Sequence, residues 1–110
     1  MKKLLTATAA TALMAGTAFA GGHGKEVKIG VILGFTGPIE SLTPSMAAGA
    51  ELAMKEVTDS GLLLDAANVI PVRADSTCVD AGAATAAAER LVTAEKIDGI
   101  MGADCSGVTG

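Results

Sequence analysis

The chain has 110 residues, a formal net charge of −4, 50% hydrophobic residues and only two aromatics, Phe19 and Phe35. An acidic balance excludes a protein that works by gripping nucleic acid or anionic membrane surfaces. The charges are scattered singly, as on a solvated surface, and form no run that would mark a charged partner.

Lys2 and Lys3 open the chain, an uncharged stretch rich in Ala, Leu and Thr runs from Leu4 to Gly16, and Ala18-Phe19-Ala20 follows. This order predicts a signal peptide over residues 1–20, cleaved after Ala20, and hence a periplasmic protein. A membrane anchor needs about 20 consecutive apolar residues, whereas this run is shorter and interrupted by threonines. Gly21, not cysteine, follows the cut, so lipid attachment is not expected there. Cleavage removes two lysines and no acid, which makes the remaining chain more acidic still. The roughly 90 residues left fall below the usual length of one domain. Phe35 is then their only aromatic. Residues 21–110 are therefore expected to be the first piece of a longer protein.

Gly21 to Lys25 reads as a lead-in. Val27 to Leu33 is predicted as a buried strand, and Gly34 to Thr43 as a loop with Gly37-Pro38 as its turn signal. Thr43-Pro44 predicts a helix start, with Thr43 as N-cap. Met46, Ala50, Ala53, Met54 and Val57 recur at helical spacing and predict its buried face, and Gly61 its left-handed end. Val69 to Ala74 is a second strand, and Pro71 assigns it an outer position in its sheet. Asp75 to Cys78 is the loop after it. Asp80 predicts the N-cap of a second helix reaching about Glu95, with Ala84, Ala88, Leu91 and Val92 facing inward. Ile97 to Met101 is a third short strand, and Gly102 to Ser106 a third loop leading toward a further helix. The order β-α-β-α-β predicts an α/β fold: a parallel sheet with right-handed crossovers, whose strand-to-helix loops share one edge. In such sheets ligands bind at that edge.

Cys78 and Cys105 each stand three residues past an expected strand end, Asp75 and Gly102. Two cysteines in an exported chain are expected to pair, and closing the ring would stabilise the fold by roughly 3.5 kcal/mol. Two buried thiols are the alternative, because the loops must reach across the first strand. Ser106, with Thr109, is placed near the start of the expected next helix, where unpaired N–H groups favour an anion. A serine N-cap without a ligand fits that position equally. Asp104 can meet an ammonium group; a solvated loop carboxylate is the plainer role. If cleavage follows Ala20, the new terminus Gly21-Gly22-His23 supplies four nitrogens in the square-planar arrangement that suits Cu(II) or Ni(II). An incidental tail is the alternative. No other metal site and no cofactor is expected: Asp75 and Asp104 are only two carboxylates without further defined ligands.

Five blocks then fall together: Ile29-Gly30-Val31, Gly37-Pro38, Gly49-Ala50-Glu51-Leu52-Ala53, Asp75-Ser76-Thr77-Cys78 and Gly102-Ala103-Asp104-Cys105-Ser106. In order and spacing they resemble the periplasmic leucine/isoleucine/valine-binding proteins, the type I solute receptors of branched-chain amino acid ABC transporters. The resemblance covers essentially all of residues 21–110. It implies that this stretch is the N-terminal part of the first of two α/β lobes that close around a ligand. It also implies a Cys78–Cys105 disulfide and a role for Ser106 in holding an amino acid α-carboxylate. Where the family places an aromatic residue over the ligand, four positions after the Gly-Pro proline, this chain has Leu42, followed by Thr43 where glycine is frequent. An aliphatic lid offers no π-face, so the ligand class widens to small amino acids or amides.

The implied partners are a small-molecule amino acid or amide and the membrane subunits of an ABC permease, with no nucleic acid, the receptor itself being a monomer. An exported sensory domain of the same fold is the first alternative. An exported hydrolase is the second, but His23 is the only histidine and precedes the first strand, so this stretch has no histidine base for Cys105 or Ser106. No Walker sequence is present, and Gly22-His23-Gly24 precedes the first strand, unlike a dinucleotide loop. A non-enzyme is therefore expected.

Overall fold

A computed structural model describes residues 25–110. The expected signal peptide and the Gly21-Gly22-His23 motif lie outside the described residues. In order, the elements are β1 (Glu26–Leu33), α1 (Thr43–Ser60), β2 (Asn68–Asp75), α2 (Ala81–Thr93), β3 (Gly99–Met101) and a three-residue 3-10 turn, Ser106–Val108. The strands form one parallel sheet in the order β2-β1-β3. The expected α/β architecture is therefore present, and β2, with Pro71 in it, is an outer strand of the described sheet. Proline has no N–H to lose there, and the Arg90 guanidinium donates to the Arg73 carbonyl of the same strand at 3.0 Å.

Successive side chains of β1 point to opposite faces, and each face has its own helix. Val31 and Leu33 pack with Ala47 of α1 and with Phe35, Met54 and Met101. Ile32 packs with Ala74 and Leu91, joined by Val72, Ala87, Ala88 and Ile97. Burying each such aliphatic side chain stabilises the fold by about 1.5–3 kcal/mol, so the central strand anchors both layers.

Helix α1 departs from the expected face. It begins at Thr43 itself; Leu42 occupies the N-cap with φ −97° and ψ −37° and gives no side-chain cap. Thr43 is fully buried and its hydroxyl donates to the Gly34 carbonyl at 3.1 Å. The inward stripe is Thr43, Ala47, Ala50, Met54 and Thr58, whereas Met46 and Val57 are 45% and 41% exposed and Ala53 is exposed. The physical reason is that both threonines satisfy backbone groups: Thr58 Oγ1 accepts the Val69 N–H at 2.8 Å. The helix ends as expected at Gly61, with φ 65° and its N–H on the Thr58 carbonyl.

Helix α2 has the expected cap, Asp80 Oδ1 accepting the Ala83 N–H at 3.0 Å. Ala84 and Leu91 are buried, but Val92 is 54% exposed. The helix stops at Thr93, short of Glu95, whose carboxylate instead meets Arg90 Nη1 at 2.7 Å. Strand β3 is also shorter than expected. Ile97 joins the core outside the strand, while Asp98 exchanges two bonds with Lys28: its N–H donates to the Lys28 carbonyl, and its carboxylate accepts the Lys28 N–H, each at 2.8 Å. Among the described residues no helix is long and apolar enough to cross a membrane.

Candidate functional site

The parallel sheet brings three loops to its C-terminal edge: residues 34–42 after β1, 76–80 after β2 and 102–105 after β3. Because β1 lies between β2 and β3, the outer loops must meet across its end. A disulfide between Cys78 and Cys105 makes that junction, with Cα atoms 5.2 Å apart, inside the range a disulfide can bridge. Cys78 packs against Gly34, where an added Cβ would lie 3.1 Å from Cys78 Cβ and 3.2 Å from Ile39 Cγ1. The pairing implied by the resemblance is thus present.

The loop after β2 winds tightly under this bond. Thr77 and Cys78 are consecutive non-glycine residues with φ of 59° and 70°, a conformation that costs roughly 1–3 kcal/mol per residue. Asp75 offsets it. Its carboxylate accepts the Thr77 N–H at 2.8 Å, the Thr36 hydroxyl at 2.6 Å and the Thr36 N–H at 3.3 Å. The Thr77 hydroxyl in turn accepts the Asp80 N–H at 3.1 Å. Burial pushes the Asp75 pKa up, but the hydrogen bonds from Thr36, Thr77 and the Phe35 amide together outweigh it, and the carboxyl sits below its ordinary range. Ser76, between these residues, is fully buried; its N–H donates to the Leu33 carbonyl, while its hydroxyl has no partner among the described residues.

The loop after β3 turns at Gly102, whose φ is 121° and where a Cβ would stand 2.0 Å from the Ile32 carbonyl oxygen. Only glycine permits that approach. The Gly102–Ala103 peptide is cis. Two residues on, the half-buried Asp104 accepts the Gly34 N–H on both carboxylate oxygens, at 3.0 and 3.2 Å. Ser106 follows the disulfide and is exposed.

The four residues expected to meet a ligand are therefore differently placed. Ser106 is exposed at the edge. Leu42 is 59% exposed at the end of the first loop. Asp104 is half-buried, and its carboxylate already accepts a backbone amide. Thr109 stands at the end, not the start, of the 3-10 turn, and its hydroxyl donates to the Cys105 carbonyl at 2.8 Å. Ser106 opens that three-residue turn. Thr36 was not among the candidates, its only signal being proximity to a strand end, and Ser76 entered only as part of the Asp75–Cys78 block.

On the α1 side the Arg73 guanidinium lies 5.4 Å from the Phe35 ring centroid and makes a two-pronged pair with Glu51, at 2.5 and 2.9 Å. Hydrogen bonding from Arg73 holds the Glu51 carboxyl below its usual value. On the opposite face a groove of about 490 Å³ runs between α2, β3 and the 3-10 turn, lined by Ala88, Val92, Ile100 and Val108 among others, with Ser106 outside it. Among the described residues, no group of three or more His, Cys, Asp or Glu is placed to hold a metal ion.

Known proteins of similar sequence give this edge a context. Residues 26–110 match the family described as periplasmic binding protein. The chain is 35% identical over 107 residues to proteins named Leu/Ile/Val-binding protein homolog 7 from Brucella melitensis, Brucella suis and Brucella abortus. Each match takes in 97% of this chain and 25% of the relative. The chain thus spans about a quarter of the length of the curated relatives it matches.

Proposed function

We propose that this chain, which belongs to the periplasmic binding protein family, forms the first part of one lobe of a two-lobe solute receptor. Its ligand is a branched-chain amino acid or a similar small amino acid or amide, as the relatives' names suggest. The observation that carries this reading is the exposed Ser106 beside the disulfide that locks two strand-end loops together. A hydroxyl so held donates a hydrogen bond to the ligand's carboxylate, and a bond to a charged group contributes about 1.5–3 kcal/mol. Leu42, exposed at the mouth of the neighbouring loop, covers the ligand's aliphatic side chain. Its smaller, non-aromatic surface favours compact apolar groups over those that need stacking.

No bond is made or broken. The ligand touches both lobes only when they are closed and so shifts the population toward the closed form, which then delivers it to an ABC permease. The family is one of solute-binding proteins, and the disulfide fits an exported protein. Residues 1–20 act as the signal peptide, and 21–110 supply one wall of the cleft.

Calorimetric titration with leucine tests the reading. The receptor expressed from its complete reading frame is expected to bind saturably, and residues 21–110 alone are not. Micromolar binding by the isolated stretch would overturn the two-lobe mechanism.

A further inference from the structure

Strand β3 stops pairing at Met101, opposite Val31. Carrying the same register onward would set Gly34 opposite Asp104, but the chain has already turned away at Gly102, so no backbone carbonyl can serve the Gly34 N–H there. The Asp104 carboxylate takes that place, with both oxygens within 3.2 Å of the amide nitrogen. Gly34 also lies against Cys78, and its carbonyl receives the Thr43 hydroxyl, at the start of α1 beside Leu42. One residue therefore links the Leu42 loop to the Ser106 loop through its N–H, and to α1 through its carbonyl. Asp104 lies two residues before Ser106, with only Cys105 between them.

We propose that Asp104 is a positioning residue: it fixes the Ser106 loop against the Leu42 loop, so that hydroxyl and lid meet the ligand at a set separation, and it makes no ligand contact itself. The proposal rests on the reading of Ser106 given above. It assigns Asp104 the work of a hydrogen-bond acceptor and not that of a charge. A pre-organised site binds more tightly because less ordering is left to be done on binding. A carboxylate meeting the ligand's ammonium group would behave differently, because its negative charge would be essential.

The substitution Asp104→Asn separates the two. Asparagine keeps an oxygen able to accept the Gly34 N–H but carries no charge. Calorimetry on the complete receptor with leucine is expected to give Asp104→Asn an affinity within about threefold of wild type, and Asp104→Ala about tenfold weaker or worse. Equal, large losses in both variants would mean that the charge touches the ligand, and wild-type affinity in Asp104→Ala would mean that the bond positions nothing; either overturns the proposal. If Asp104→Ala fails to fold, Asp104→Asn decides alone, retained affinity supporting the proposal and a loss of tenfold or more overturning it. Amide exchange by NMR provides a readout without ligand. In Asp104→Ala, but not Asp104→Asn, the Gly34 amide exchanges faster and the Cys105–Gly107 signals shift. Unchanged signals would overturn the proposal even if leucine proved not to be a ligand, whereas altered signals in a protein that binds no amino acid would sustain the clasp and sink the receptor reading alone.

Discussion

The two ends of β1 are finished with the same device put to different uses. At its start the Asp98 carboxylate accepts the Lys28 N–H at 2.8 Å, and at its finish the Asp104 carboxylate accepts the Gly34 N–H at 3.0 Å. Both acids sit on the β3 side, just outside its three paired residues. Beyond that the ends diverge. Among the described residues the start carries no disulfide, its Asp98 is exposed, and its left-handed residues are Leu64, Asp65 and Ala66, in the loop into β2, and Lys96. The finish carries the Cys78–Cys105 bond, two consecutive left-handed residues and a second carboxylate clasp at Asp75. Ending a strand needs only one acceptor. Left-handed backbone occurs at both ends, so the covalent bond and the second clasp are what set the finish apart, and they make sense if that end must hold side chains for a ligand.

The largest expected effect separates the ends outright. Removing the disulfide with Cys78→Ser and Cys105→Ser together should cost about 3.5 kcal/mol of stability, measured by urea unfolding of oxidised and variant proteins. A cost below about 1 kcal/mol would mean that the finish is held without the bond. Next comes Gly102→Ala, for which about 2–4 kcal/mol is expected, because the new methyl collides with the Ile32 carbonyl. Thermal melts would read it, and a neutral result would remove the glycine from the account.

The acids sharpen the comparison at lower energy. Asp98→Ala and Asp104→Ala should each destabilise by about 1 kcal/mol, yet only the second should weaken ligand binding. A loss of affinity in Asp98→Ala would erase the distinction between the ends. Asp75 adds a pH dependence. Its folded pKa is depressed, so its contribution is present above the unfolded value, about 3.9, and is lost as pH falls through the folded value. Asp75→Asn should flatten the acid limb of a stability profile recorded downward from about pH 4, and an unaltered limb would contradict this. The smallest effect belongs to the Glu51–Arg73 pair. Being partly exposed, it should contribute little, and less as salt rises, as a Glu51→Gln variant would report.

Much of this architecture was legible in the residues. Asp80, Gly61 and Pro71 announced a helix start, a helix end and an outer strand because each acts through local backbone chemistry. The α1 face was not legible, since hydropathy counts Thr43 and Thr58 as polar although their hydroxyls serve Gly34 and Val69. Nor was the role of Asp104. A loop carboxylate can face water, a ligand or a backbone amide, and only the register of β1 against β3 decides among them. The disulfide was legible from two cysteines behind a leader and again from the resemblance, although spacing alone left two buried thiols open, because whether the loops cross β1 closely enough is a matter of tertiary geometry.

The central claim is that the disulfide-locked edge presents Ser106 to a ligand's carboxylate. Calorimetric titration of the complete receptor and its Ser106→Ala variant with leucine tests it most directly. Saturable binding is expected, weakening about 10- to 100-fold in the variant, with the thermal midpoint of the unliganded protein unchanged. Equal affinity in the two proteins would contradict it.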